Sequence, residues 1–122
     1  MPISVHTSTA IDVYGLQGSQ VELPCNMSVV RPNDTIKVIF WFPNCDFTGT
    51  AIYSVDFRGS EPQHTVLSEG LEKRVFFKLG RGKQTGSLEI LDLRATDGGH
   101  YACRVDANRT SRICNTLHVL GG

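Results

Sequence analysis

Four cysteines, four histidines and three asparagines in glycosylation sequons are the side chains of this 122-residue chain whose types and spacing could do chemistry. Cys25, Cys45, Cys103 and Cys114 form no C-x-x-C pair, so a zinc ribbon is not indicated. An even cysteine count in a short chain points instead to disulfides and an oxidising compartment. The sequons Asn26-Met27-Ser28, Asn33-Asp34-Thr35 and Asn108-Arg109-Thr110 agree with that compartment and mark Asn26, Asn33 and Asn108 as glycan acceptors. His6, His64, His100 and His118 make no H-x-x-x-H pair and stand at no ligand spacing from a cysteine, so no metal set is expected. Ser54 and Asp56 share one candidate strand with His64 beyond it, without a nucleophile elbow. Gly80-Arg81-Gly82-Lys83 lacks the strand–loop–helix context of a phosphate loop and reads as a turn. The chemistry expected is therefore cystine and glycan, with no catalysis, no cofactor and no metal.

The elements that must position these residues are short strands. Val21–Cys25 alternates, Lys37–Phe42 is a dense apolar run, and Ala51–Phe57 ends at Arg58-Gly59-Ser60. Arg74–Leu79, Ser87–Leu91, His100–Ala107 and Ile113–Leu120 follow, with one helical turn expected at Leu93–Asp97. Hydrophobic residues make up 40% and charged residues 20%, which suits one ordinary core. Twelve basic residues balance twelve acidic ones, so the basic excess of a nucleic-acid binder is missing. No apolar run approaches the roughly 18 residues of a membrane span. Met1–His6 has no signal-peptide character. Residues 1–122 thus read as one domain excised from a longer extracellular chain, with any membrane anchor outside it.

Cys25, Trp41 and Cys103 then decide the fold. The cysteines are 78 residues apart with the tryptophan between them, the pattern of an immunoglobulin domain whose inter-sheet disulfide packs on a buried Trp. In Leu88–Cys103, Tyr101 stands two before the cysteine, the tyrosine-corner position, and Asp97 fits the acidic residue of the turn before it, with Arg74 as its salt-bridge partner. The wide cysteine separation leaves room for two extra strands. The fold class expected is all-β: an immunoglobulin-like two-sheet antiparallel sandwich of the variable type.

Strand alternation assigns a binding face. If Trp41 points inward, Phe40 and Phe42 point outward. With Ile52 taken as inward, Ala51, Tyr53 and Val55 point outward; with Cys103 inward, so do Ala102, Arg104 and Asp106. Cys114, Thr116, His100 and His118 face out as well. Phe40, Phe42, Tyr53, Val55, Arg104 and Asp106 are the expected partner-binding residues, because aromatics with arginine are enriched at hot spots. Cys45 and Cys114 are expected to pair, since exposed free thiols are uncommon in secreted domains. Their strands are separated by a third, nearly 10 Å apart, whereas a disulfide needs Cα atoms within about 7 Å. The bond therefore requires Asn44–Gly49 to fold back over the outer face and partly shield Phe42.

The segments Ile52-Tyr53-Ser54-Val55-Asp56-Phe57-Arg58 and Tyr101-Ala102-Cys103-Arg104-Val105-Asp106, with Leu23-Pro24-Cys25 and Val38-Ile39-Phe40-Trp41, resemble the first immunoglobulin domain of the Sidestep family. The resemblance runs from about Val13 to Leu120. It implies a neuronal cell-surface receptor whose first-domain sheet face binds a Beaten path protein in axon guidance or synaptic partner choice. An antigen-receptor variable domain would carry F-G-x-G in its last strand, where Arg112-Ile113-Cys114-Asn115 stands instead. A secreted ligand or decoy and a homophilic adhesion domain are the alternative binding roles.

Overall fold

The computed structural model describes residues 10–27, 34–80 and 85–121. Asn33 and most of the Gly80–Gly86 turn lie outside the described residues. The strands are β1 (Ile11–Leu16), β2 (Val21–Cys25), β3 (Val38–Phe42), β4 (Tyr53–Asp56), β5 (Gln63–Val66), β6 (Val75–Leu79), β7 (Gly86–Ile90), β8 (Gly99–Asp106) and β9 (Thr110–Leu120). They form a six-stranded sheet of order β1-β9-β8-β3-β4-β5 and a three-stranded sheet of order β2-β7-β6. Neighbours are antiparallel except β1, which runs parallel to β9. Seven of these strands stand where the alternation and turn residues place them. β1 and β5 carry too few buried positions to announce themselves.

The inward faces of β2, β3, β7 and β8 supply a continuous apolar core, with Leu23, Ile39, Trp41, Leu88, Ile90, Cys103 and Val105 all sealed from solvent. Cys25 on β2 and Cys103 on β8 are bonded across it, with Cα atoms 5.6 Å apart. Trp41 is the cross-strand neighbour of Cys103, and its ring meets Phe77 of the opposite sheet at 6.4 Å. Gly15 on β1 lets that strand close on Leu93, because a Cβ there would stand 2.6 Å from Leu93 Cδ1.

The lower end of the sandwich is tied by one polar cluster. A single 3-10 turn at Ala95–Asp97 precedes β8. Tyr101 Oη donates to the Asp97 carbonyl at 2.6 Å, which is the tyrosine corner. The Asp97 carboxylate takes both Arg74 Nη1 and Nη2, at 2.8 and 3.0 Å. Burial, with the nearby Asp97 charge, pushes the Tyr101 hydroxyl up to about 12.

One expected orientation is overturned. Tyr53 and Val55 point into the core, at 2% and 0% exposure, and not outward. The register explains it: Tyr53 pairs with Trp41 and Val55 with Ile39, and directly opposed residues share a face. Ile52 precedes β4 and is partly buried against the same core, so it set no parity for the strand. Tyr53 reaches the opposite sheet, where its hydroxyl accepts the Phe77 amide at 3.1 Å and lies 2.7 Å from His64 Nδ1. Burial raises its pKa.

Candidate functional site

The outer face of the six-stranded sheet is built in cross-strand rows. In one row Phe42 of β3, Ala102 of β8 and Cys114 of β9 stand side by side. Ala102 has no bulk to obstruct a crossing chain, so the segment after β3 lies across the sheet and Cys45 bonds Cys114, with Cα atoms 5.4 Å apart. The fold-back that the strand spacing demands is thus present. It buries Phe42 to 7% and Ala102 and Cys114 almost completely, in a second small apolar cluster with Phe40, Cys45, Phe47 and Ala51 at its rim.

Local turn chemistry shapes that loop. Asp46 Oδ1 accepts the Thr48 hydroxyl at 2.7 Å and the Thr48 amide at 3.1 Å, and these bonds lower its pKa. Phe47 takes a left-handed backbone with φ 61°, uncommon for a bulky residue, and Gly49 follows at φ 82°. The strained residue sets its ring edge-on to Phe42 at 5.9 Å. Backbone strain of this kind persists where the surroundings over-determine it, and it clusters at functional positions.

In the next row Phe40, Arg104 and Arg112 are cross-strand neighbours on β3, β8 and β9. The Arg104 guanidinium lies 4.7 Å from the Phe40 centroid and 5.4 Å from that of Phe42. Arg112 lies 5.8 Å from the Phe47 ring. Arg104 Nε sits 3.2 Å from Asp106 Oδ1, but its N–H makes no aligned hydrogen bond; the directed contact is from Nη2 to Oδ2 at 3.3 Å. Asp56, farther along the face, is held down to about 2 by side-chain and backbone hydrogen bonds from Arg58.

Of the six expected partner-binding residues, the structure brings Phe40, Phe42, Arg104 and Asp106 together on one face and removes Tyr53 and Val55 to the interior. Phe47 and Arg112 were missed. The parity count reaches only regular strands and so omits Phe47. Arg112 lies just before the expected start of its strand at Ile113. His100 Nδ1 contacts Thr116 Oγ1 at 3.1 Å, and His118 contacts Asp12 at 2.9 Å and stacks on Tyr14. His100 is also near Cys45 and Cys114, but both sulfurs are committed to their bond and offer no thiolate to a metal.

Asn108 is exposed at the β8–β9 turn, where its Nδ2 donates to Asp34 at 2.9 Å, and Asn26 directly follows β2. Thr110→Ala, which removes the Asn108 sequon at an exposed site, is expected to leave stability within about 0.5 kcal/mol. Secretion yield and a thermal melt check this; a variant that fails to fold or secrete would assign Thr110 or its glycan a structural role.

The six-over-three sandwich, with two strands added beside β3 and a buried Trp on the inter-sheet disulfide, defines an immunoglobulin domain of the variable type. No protein-family model matches the chain, and no curated protein does. Solved structures share its fold. A structure of VGSC beta subunits, studied for multimeric cell-adhesive interactions, is 22% identical at TM-score 0.67 and covers 98% of each chain. A structure of Dpr11 IG1 bound to DIP-gamma is 19% identical at TM-score 0.62, covering 92% of this chain and 100% of that one. The ZIG-8–RIG-5 IG1–IG1 heterodimer is 16% identical at TM-score 0.63, covering 98% of this chain and 90% of that one. Among the described residues no helix is long and apolar enough to cross a membrane.

Proposed function

We propose that this chain is an extracellular protein-recognition domain of a cell-surface receptor, binding another immunoglobulin domain through the outer face of its six-stranded sheet. It acts by binding and not by catalysis. The observation that carries this reading is the outer-face platform: three phenylalanines, two arginines stacked on them, and a disulfide that fixes the covering loop. Pre-organised aromatic and arginine side chains lose little entropy on binding, and such residues dominate hot spots. The adhesion and IG1–IG1 structures with the same fold support a partner of the same class. The Sidestep resemblance narrows that partner to a Beaten path-type protein, in axon guidance or synaptic partner recognition.

The test is a binding screen of the domain against extracellular immunoglobulin proteins, Beaten path proteins among them, followed by Phe40→Ala on the pair found. Phe40 is partly exposed on the platform and outside the main core. Its truncation is expected to weaken binding by roughly 1–3 kcal/mol with the fold retained. Unchanged affinity would remove the sheet face from the account. Self-association of the domain at micromolar concentration, with no other binder, would favour the homophilic role instead.

A further inference from the structure

We infer that Arg104 and Arg112 together receive a carboxylate, so that the partner face is acidic at the point where it meets this row. The inference rests on the sheet-face reading above and names the chemistry of its partner. Arg104 and Arg112 are directly opposed on β8 and β9. Like charges in that position destabilise a sheet and need a reason to be there. Intramolecular pairing does not supply it. Asp106 neutralises one of the two, by an ion pair at 3.2 Å with Arg104. Arg112 has no carboxylate within ion-pairing distance among the described residues, whereas Arg58 and Arg74 are each held by an aspartate.

The two guanidiniums are also not free to splay apart. Arg104 lies over Phe40 and Phe42, Arg112 lies over Phe47, and the Phe42 and Phe47 rings are themselves in edge contact. One aromatic cluster, fixed by the Cys45–Cys114 bond, therefore carries both cations. Arginine forks match carboxylate geometry, and Arg104 is already partly buried on its rings while Arg112 stays exposed to receive a ligand. An Asp or Glu side chain on a partner strand, flanked by apolar residues that cover Phe40, meets each of these features. The surplus positive charge of the row also steers encounter with an acidic face.

The experiment uses the immunoglobulin partner recovered in the screen, measured with wild type, Arg112→Glu and Phe40→Ala at low and high salt. Arg112→Glu is expected to weaken binding by about tenfold or more, chiefly through slower association, and to flatten its salt dependence. A reversal of one acidic residue of the partner face to Lys is expected to restore binding to Arg112→Glu and not to wild type. Arg112 is exposed, so the variant folds; its melting curve verifies this. If Phe40→Ala loses binding and Arg112→Glu does not, the carboxylate receptor is wrong and the sheet face stands. If neither matters, both are wrong. Loss by Arg112→Glu of binding to heparan sulfate fragments, with partner affinity intact, would also overturn the proposal by assigning the arginines to a sulfated glycan.

Discussion

Asp97→Ala is expected to cost about 3–5 kcal/mol of folding free energy, the range for breaking a buried ion pair by removing one partner. Arg74 and Asp97 are 10% and 6% exposed at their side chains. The arginine is satisfied on every side: Nε and Nη2 donate to the Gly70 carbonyl, Nη1 to those of Leu91 and Asp92, and the two terminal nitrogens to Asp97. Deleting the carboxylate leaves a cation buried beside carbonyl groups and also removes the acceptor of the Arg94 amide at 2.8 Å. At roughly 4 °C per kcal/mol for a domain of this size, the melting midpoint falls by about 12–20 °C. The contrast is Lys78, which pairs with Glu22 and Glu89 while half exposed; Lys78→Met is expected to change stability by no more than about 1 kcal/mol.

The same pair sets a pH signature. Burial pushes the Asp97 carboxyl up, but the Arg74 hydrogen bonds, the Arg94 amide and both arginine charges outweigh it, and the net pKa lies below the ordinary carboxylate value. Folding therefore favours the ionised form. Its contribution is fully present above the unfolded carboxyl value, near pH 4, and is lost as the pH falls through the lower folded value. Denaturant titrations from pH 6 down to pH 2 are expected to show this loss in wild type. An Asp97→Asn variant should be less stable at pH 6 and show a flatter acid limb. An Asp97→Ala variant as stable as wild type, with an unchanged acid limb, would show that Arg74 finds compensation elsewhere.

That cluster was readable in the sequence because its residues lie at fixed offsets from a cysteine. Asp97, Tyr101 and Cys103 share one short segment, so local spacing carries the long-range contact to Arg74. The outer face was readable only where a strand contained an anchor of known direction. Trp41 and Cys103 fixed β3 and β8, and Phe40, Ala102, Arg104 and Asp106 lie on the side expected. β4 has no such anchor. Its direction follows from the register with β3, and that depends on how many residues the intervening loop consumes before pairing resumes. Tyr53, with a polar tip, reads as a surface residue until that tip is found on the Phe77 amide of the opposite sheet. Phe47 was beyond reach for a related reason: a left-handed residue in a loop obeys no periodicity. The disulfide that governs the loop was inferable from cysteine count, and strand spacing then required the chain to cross the sheet.

Replacing Cys45 and Cys114 together by serine is expected to lower stability by roughly 2–4 kcal/mol and to weaken partner binding at least as far as Phe40→Ala does. With Cys25–Cys103 in place the bond closes a loop of about 31 residues, 45 − 25 = 20 on one side and 114 − 103 = 11 on the other, for which chain entropy alone predicts about 3.5 kcal/mol, and strain or residual structure reduces such figures. The first term acts on the unfolded chain; the second consequence acts on the face. Phe42, 7% exposed, is covered by Arg104 on one side and by the segment through Phe47, anchored at Cys45, on the other. Without the bond, the left-handed backbone at Phe47 loses what holds it there, and Arg112 loses the ring on which it lies. Arg104 keeps Phe40 beneath it, so the cluster comes apart from the Cys114 side. The Cys25–Cys103 bond and the main core are untouched, so the variant is expected to remain a cooperatively melting sandwich. Three measurements decide the matter. A non-reduced digest of wild type should yield a peptide linking Cys45 to Cys114. The double variant should melt lower and expose new apolar surface to a hydrophobic dye. Its affinity for the screened partner should fall at least as far as that of Phe40→Ala. Two alkylated free thiols in wild type would remove the bond, and full partner affinity in a folded double variant would show that the loop shields the face without building it.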